Sequence, residues 1–254
     1  MSNRLFDVGD RVVMVAGGAG GLGRVLAGAF AERGALVGLA DVDGRRARKS
    51  LEALGIDDRH GLACTLDVRD EASCARGVRR IVRRFGRLDV LINAAGIFPT
   101  GAALELDRET WDATLALNLS GAFFLARAVA RTMVGQRSGR IVTVASVSSR
   151  VANPGYAAYA ASKAAVSHLT RVLALEWAPF GVTVNAVGPA MTPTPLNEAF
   201  LAEPERRDAA LNQIPLGRFG RPQDLIGVAL LLASEAGSFI TGQTIYVDGG
   251  RTLS

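Results

Sequence analysis

Lysine is almost missing from this 254-residue chain: of 29 basic residues, only Lys49 and Lys163 are lysines. Cysteine and histidine are equally scarce, with two of each. Cys64 and Cys74 have no C-x-x-C spacing and are too few for a disulfide framework, so they read as reduced thiols. His60 and His168 are too few for a histidine-rich metal site. His168, on the same predicted helix as Lys163, is expected to be packed or at an interface. No G-x-S-x-G elbow of a serine hydrolase occurs. Long apolar runs are absent too: nowhere do eighteen apolar residues follow one another, and Met1–Asp10 lacks the apolar block of a signal peptide. A soluble, cytoplasmic protein with no membrane partner is expected.

The net charge of +5 raises the question of nucleic acid. Arginines gather at Arg45, Arg46 and Arg48, and again at Arg79, Arg80, Arg83, Arg84 and Arg87. The second group brackets Ile81, Val82 and Phe85, the pattern of an amphipathic helix with a solvated basic face. No aromatic residues interleave to stack bases, so no nucleic-acid partner is expected.

What the chain does have is apolar residues, at 49%, against 21% charged. This suits one large α/β domain spanning residues 1–254. Apolar, β-branched runs alternate with helical patterns. Strands are expected at Arg11–Ala16, Ala35–Asp41, Gly61–Asp67, Leu88–Asn93, Arg140–Ser146, Val182–Val187 and Thr244–Val247. Helices are expected at Leu22–Arg33, from the arginine group to Leu54, and at Glu71–Phe85, Glu109–Val134, Ala157–Ala178 and Gln223–Ala233. A Pro-rich, irregular segment separates the last two helices. Such alternation argues a doubly wound parallel sheet flanked by helices on both faces. Ligands bind beyond the carboxyl ends of strands in such sheets.

The glycine-rich stretch Val15–Arg24 follows the first strand and opens a helix, where backbone N–H groups can receive a pyrophosphate. Gly18, Gly20 and Gly23 fit G-x-G-x-x-G, while Gly17, Gly21 and Gly23 fit G-x-x-x-G-x-G. Asp41 ends the second strand, placed to accept from ribose hydroxyls and to repel a 2′-phosphate; this favours NAD, with NADP kept open by Arg45 and Arg46. Asp43 is better placed than Asp41 as a helix N-cap. Asp67 and Val68 offer groups near an adenine. Asn93-Ala94-Ala95-Gly96 would let the chain pass close beneath a cofactor.

Tyr159 and Lys163 stand four residues apart on one helical face. A tyrosine titrates near ~10, and a neighbouring ammonium would bring it toward the working range. Tyr156 is a rival phenol whose i+4 neighbour is only Ala160. Ser146 ends the fifth strand and could polarise a substrate oxygen.

Taken in order, Gly17-x-x-x-Gly21-x-Gly23, Asn93-Ala-Ala-Gly96, Asn118, Ser146, Tyr159-x-x-x-Lys163, Asn185-Ala-Val-Gly-Pro189 and Thr241-Gly-Gln…Val247-Asp-Gly-Gly250 resemble the short-chain dehydrogenase/reductase family over nearly the whole chain. The resemblance implies a Rossmann-type fold and no catalytic metal. It implies Tyr159 as acid/base, Lys163 lowering its pKa and holding the nicotinamide ribose, Ser146 polarising the substrate oxygen, and Asn118 supporting a relay through water to Lys163. It settles the glycine register as Gly17, Gly21 (with Leu22 behind it) and Gly23, leaving Gly18 and Gly20 as permissive fillers. Pro189, Thr192 and Thr194 would meet the nicotinamide, with Asn93, Ala94 and Gly96 beneath it. Residues 191–214 would form a substrate lid, with Leu196, Asn197 and Phe200 as substrate contacts. Ala16 and Ala190 depart from the family's usual Thr and Gly.

The lid start and the ending resemble gluconate 5-dehydrogenases and related sugar-acid and polyol dehydrogenases. The substrate expected is therefore a small alcohol or ketone of that kind. A 3-oxoacyl thioester reductase and a catalytically silent nucleotide sensor are the alternatives. A homotetramer is expected, with the helices at 109–134 and 157–178 pairing across one interface and the C-terminal strand region meeting across another.

Overall fold

The computed structural model describes residues 5–253. Strands β1 (Val12–Ala16), β2 (Leu36–Asp41), β3 (Gly61–Thr65), β4 (Val90–Asn93), β5 (Gly139–Val144), β6 (Val182–Pro189) and β7 (Thr244–Val247) make one seven-stranded sheet. Their order is β3-β2-β1-β4-β5-β6-β7, and every pair is parallel. The helices are α1 (Gly21–Ala31), α2 (Gly44–Ala53), α3 (Glu71–Phe85), α4 (Arg108–Leu115), α5 (Gly121–Gln136), α6 (Ala157–Trp177), α7 (Glu198–Leu201), α8 (Pro204–Asn212) and α9 (Ile226–Ala233).

Strand β1 shows why its sequence, VVMVA, is apolar without interruption. Alternate side chains leave a strand on opposite faces. Val12, Met14 and Ala16 enter a core with Val78 and Ile81 of α3 and Leu125, Val129 and Met133 of α5. Val13 and Val15 enter a second core with Leu26 and Phe30 of α1 and Leu230 and Leu232 of α9. Both faces are covered, so no position in the strand is free to be polar. Burying a side chain such as Phe30 or Leu125 contributes about 1.5–3 kcal/mol, and both have at most 1% of their surface exposed.

The chain winds outward from β1 to β3, then crosses back to lay β4 on the other side of β1. The turns leaving β1 and β4 therefore diverge, and the crevice between them is where such sheets receive ligands.

Most expected elements lie within two residues of the observed ones, and Glu71–Phe85 and Thr244–Val247 coincide with them. Asp43 does cap α2, its Oδ1 accepting from Arg45 N at 2.9 Å and Arg46 N at 3.4 Å. Two expectations fail. The single helix read over 109–134 is interrupted by a π-helical turn at Ala116–Ser120. The segment read as irregular holds α7 and α8; Pro204 stands at the start of α8, where its fixed φ suits the first turn and its missing N–H costs nothing. His168 is exposed in the single chain rather than packed. One helical stretch, Arg108–Gln136, is long and apolar enough to cross a membrane by length and composition, with mean hydropathy 1.4. It carries Arg127 and Arg131 on its length, and its inner face is the wall of the first core.

Candidate active site

The turn after β1 begins with Gly17 at φ +68°, and a Cβ there would stand 2.8 Å from Ala95 N and 2.9 Å from the Ala94 carbonyl. Only glycine fits both the left-handed backbone and the approach to the β4 turn. A Cβ on Gly23 would meet Gly17 O at 2.3 Å, so α1 packs directly on the turn. A Cβ on Gly21 would meet the Thr194 side chain at 2.7 Å, which brings the lid over the N-terminus of α1. At all three positions a side chain would collide with its neighbours. Gly18 and Gly20 are not the permissive fillers expected: a Cβ on Gly18 would fall 2.6 Å from Leu39 Cγ, and one on Gly20 3.1 Å from Gly17 O.

The cleft beside this turn, about 470 Å³, is walled by Gly17, Gly21, Leu22 and Gly23, then by Asp41, Asp67 and Val68, then by Ala94 and Gly96. It offers bare backbone and a helix N-terminus at one end and carboxylates further along, a donor set that suits a dinucleotide. Asp41 is buried, its Oδ2 accepting from Ala19 N and its Oδ1 from Asp43 N, both at 3.2 Å. Arg46 lines the same cleft, whereas Arg45 does not. Asp67 is clamped by Arg69, whose Nη2 donates at 2.7 Å and whose guanidinium holds the carboxyl below the usual carboxylate range. Asn93 is withdrawn from both the cleft and the cavity beyond it. It is buried, and its Oδ1 accepts from Ala95 N at 3.2 Å, shaping the turn from beneath.

Leu22, Ala94, Gly96, Thr194 and Leu196 are shared with an inner cavity of about 120 Å³. Here β5, α6 and the end of β6 converge. Ser146 leaves β5 in extended conformation, and its Oγ accepts from Ser148 N at 3.1 Å. Tyr159 and Lys163 project from the first two turns of α6. Lys163 Nζ donates to Val144 O at 2.8 Å and lies 5.7 Å from the centre of the Tyr159 ring. Pro189, Ala190, Thr192 and Thr194 complete the wall. The extra methyl of Ala190 faces this cavity, packed in the cluster that holds Val147 and Ile214.

The electrostatics differ from the expectation. Burial pushes the Tyr159 phenol up, and a hydrogen bond with Ser146 is what pulls it back. Burial also pushes the Lys163 ammonium down to about 8.

Asn118 is buried, but its side chain is committed to Ile97 and Ser162. Oδ1 accepts from Ile97 N at 2.9 Å, and Nδ2 donates to Ile97 O at 3.0 Å and to Ser162 Oγ at 3.1 Å. The π-helical turn carries this amide and ties the β4 turn to α6. Asn197 is also not aimed at a substrate. Its Oδ1 accepts from Thr194 N at 2.9 Å and its Nδ2 donates to Thr192 O at 2.9 Å, so although it lines the cavity its polar atoms close the lid's own turn. Leu196 lines the cavity; Phe200 does not. Phe200 packs instead 5.7 Å from the Phe98 ring and 6.0 Å from that of Tyr156.

The sequence reading missed the aromatic wall. Phe98 stands 4.9 Å from Tyr156 and 4.7 Å from Tyr159, ring to ring. Tyr156, set aside for want of a lysine partner, lines the cavity, and burial pushes its phenol up to about 12. Asn153, Gln213 and Arg251 line it as well.

A doubly wound sheet with a glycine cradle at its switch point, opening onto a serine, a tyrosine and a lysine, defines a dinucleotide-dependent oxidoreductase architecture. The family model described as enoyl-(acyl carrier protein) reductase matches residues 17–252. The NAD-dependent glycerol dehydrogenase of Listeria innocua is 38% identical over 98% of this chain and 96% of its own. The 3-oxoacyl-[acyl-carrier-protein] reductase of Thermotoga maritima is 39% identical over 96% of this chain and 98% of its own. A gluconate 5-dehydrogenase from Burkholderia cenocepacia, solved with NADP and tartrate, superposes with a TM-score of 0.94 at 33% identity, covering 98% of each chain. The chain belongs to the short-chain dehydrogenase/reductase family.

Proposed function

We propose that this chain is an NAD-dependent dehydrogenase that interconverts a secondary alcohol and a ketone on a sugar acid or polyol. The observation that carries the reading is the meeting of Ser146, Tyr159 and Lys163 in one small cavity continuous with the glycine-lined cleft. A bound dinucleotide supplies or accepts the hydride. Ser146 Oγ and the Tyr159 hydroxyl hold the substrate oxygen. Tyr159, its phenol kept protonated at neutral pH by burial, gives its proton to that oxygen when a ketone is reduced. In oxidation it takes the proton back. Lys163 places a cationic group behind the phenol, and Asn118 positions the turn that carries Gly96 against Lys163.

Asp41 supports NAD over NADP, because a buried carboxylate at the adenosine end repels a further phosphate. Sugar acids and polyols are supported by the glycerol and gluconate dehydrogenases among the relatives and by the tartrate held in one of them. Exposed Trp111, Val172 and Leu175 on α4 and α6, and Phe239 and Leu253 near the C-terminus, support the burial of these faces in a homotetramer. The activity test is a panel of aldonates, alditols and 3-oxoacyl thioesters, followed by nicotinamide absorbance with NADH and NADPH in parallel. Turnover confined to thioesters overturns the substrate reading, and a wild type that prefers NADPH overturns the cofactor reading.

A further inference from the structure

Ser146 is held by two residues that line neither the inner cavity nor the cleft, Ser149 and Tyr246. On the cavity side, the Ser146 hydroxyl accepts from Ser148 N at 3.1 Å and bonds the Tyr159 phenol. The Ser146 carbonyl is anchored separately, accepting from Ser149 N at 3.0 Å and from Ser149 Oγ at 2.6 Å. Ser149 Oγ lies in turn 2.9 Å from the Tyr246 hydroxyl. Proton counting fixes the direction of that last bond. Ser149 has one hydroxyl proton, and a carbonyl only accepts, so the proton is committed to Ser146 O and Ser149 Oγ accepts from Tyr246. The result is a directed chain from the Tyr246 hydroxyl through Ser149 to the Ser146 carbonyl, in which each bond polarises the next.

Tyr246 belongs to β7, and β6 lies between that strand and β5. Its ring therefore has to reach across a strand, and Gly188 of β6 lets it do so. Gly188 is the register partner of Tyr246, and a Cβ there would stand 2.5 Å from the Tyr246 ring and 3.4 Å from Ser146 O. Arg150, the residue after Ser149, brings its guanidinium 6.0 Å from the centre of the same ring, a second tie between the turn and the tyrosine. Just before the turn, Ala145 N donates to Val187 O at 2.8 Å. The backbone is thus pinned on both sides of Ser146, which leaves its hydroxyl only the χ1 rotation that the bond from Ser148 N sets.

We infer that Tyr246 and Ser149 are positioning residues for Ser146: they lock its carbonyl so that its hydroxyl stays on the substrate oxygen that Tyr159 protonates. Neither touches the substrate. They act because the benefit of an aligned hydroxyl falls steeply with small displacements. This rests on the alcohol–ketone chemistry proposed above and adds the support that its geometry requires.

The test is a double-mutant cycle on kcat, at saturating nucleotide and with the substrate that wild type turns over best. Tyr246→Phe keeps the ring over Gly188 and removes only the donor. It should lower kcat about three- to tenfold with KM little changed, the loss that one hydrogen bond sustains. Ser149→Ala should do the same, and the two together should do no more than either alone. In a Ser146→Ala background Tyr246→Phe should have no effect, because the hydroxyl it positions is gone. An equal loss in both backgrounds, as a general loosening of the fold would give, overturns the relay, and so does wild-type kcat in Tyr246→Phe. Hydrogen exchange needs no turnover and separates this inference from the reaction it rests on. The amides of Ser148, Ser149 and Arg150 should exchange about three- to tenfold faster in Tyr246→Phe, with those of α6 unchanged. Faster exchange there in a protein whose wild type turns over neither alcohol nor ketone upholds the clamp and overturns the activity; turnover with kcat and exchange both indifferent to Tyr246 does the reverse.

Discussion

Replacing Lys163 by methionine should make this protein's stability respond less to pH while removing its activity. The lysine has 5% of its surface exposed, and burial pushes its ammonium down to about 8 from the ordinary 10.5. Below about pH 8 it is protonated both folded and unfolded, so the full cost of burying the charge opposes folding. Between the two values the unfolded chain binds more protons than the folded one, and stability rises with pH. Above the unfolded value the cost is gone. A shift of this size is a penalty of roughly 3 kcal/mol at neutral pH, of which roughly 2 kcal/mol is relieved between about pH 7 and pH 9.5. Methionine fills similar volume and carries no charge, but it leaves Val144 O without the 2.8 Å bond from Nζ. That loss offsets part of the gain at any single pH and is the same at all of them, so the informative quantity is the difference in slope. Urea unfolding of wild type and Lys163→Met, without nucleotide, should give profiles that converge toward the wild type by about 2 kcal/mol over that range. Parallel profiles would refute the idea that the buried ammonium is held at a cost to the fold.

Three further outcomes follow from the site. Tyr159→Phe should lower turnover by about two to four orders of magnitude, the usual contribution of a positioned proton donor, while nucleotide binding followed by fluorescence is retained; undiminished turnover would sink the acid/base assignment. Asp41→Ala should shift the ratio of kcat/KM for NADPH over NADH upward by about tenfold or more, with a modest loss of stability because Ala19 N and Asp43 N lose their acceptor; a ratio that stays put removes Asp41 as the selector. Gly18→Ala should destabilise by about 1–3 kcal/mol through overpacking against Leu39, whereas Gly101→Ala, where nothing lies within 4 Å, should be nearly silent; equal melting temperatures for the two would return Gly18 to the status of a filler.

The strands, the cleft-forming glycines and the Ser–Tyr–Lys group were legible because each depends on local rules. Apolar runs too short for helices identify buried strands, and a phenol with an ammonium four residues later identifies one helical face. The misreadings share a different cause. Residues 109–134 keep a helical apolar rhythm, and nothing in that rhythm shows that Asn118 will be drawn toward Ile97, where the helix widens by a turn. Pro204 reads as an interruption unless its position at a helix start is known. Asn197 is a short polar residue in a lid, and whether its amide faces a ligand or the amide of Thr194 depends on how the loop closes. Phe98 and Tyr156 lie 58 positions apart in sequence, and only the crossing from β4 to α6 makes them neighbours.

The same topology divides the site into parts that can change separately. Ser146, Tyr159 and Lys163 come from the end of a central strand and from a helix that packs along β6, with α6 tied through Ser162 and Asn118 to the β4 turn. Moving any of them disturbs the core. The far wall is built otherwise, from the lid between β6 and β7 and from the turn after β7, at one edge of the sheet. Its contacts are side chains on short helices and loops: Leu196, Gln213, Ile214 and Arg251. Substitutions there alter what fits against the aromatic wall of Phe98 and Tyr156 without shifting Ser146, Tyr159 or Lys163. A fold arranged in this way keeps one reaction fixed by the sheet centre and leaves substrate choice to its edge. Relatives of comparable identity to this chain include both a glycerol dehydrogenase and a 3-oxoacyl thioester reductase, as that division of labour predicts.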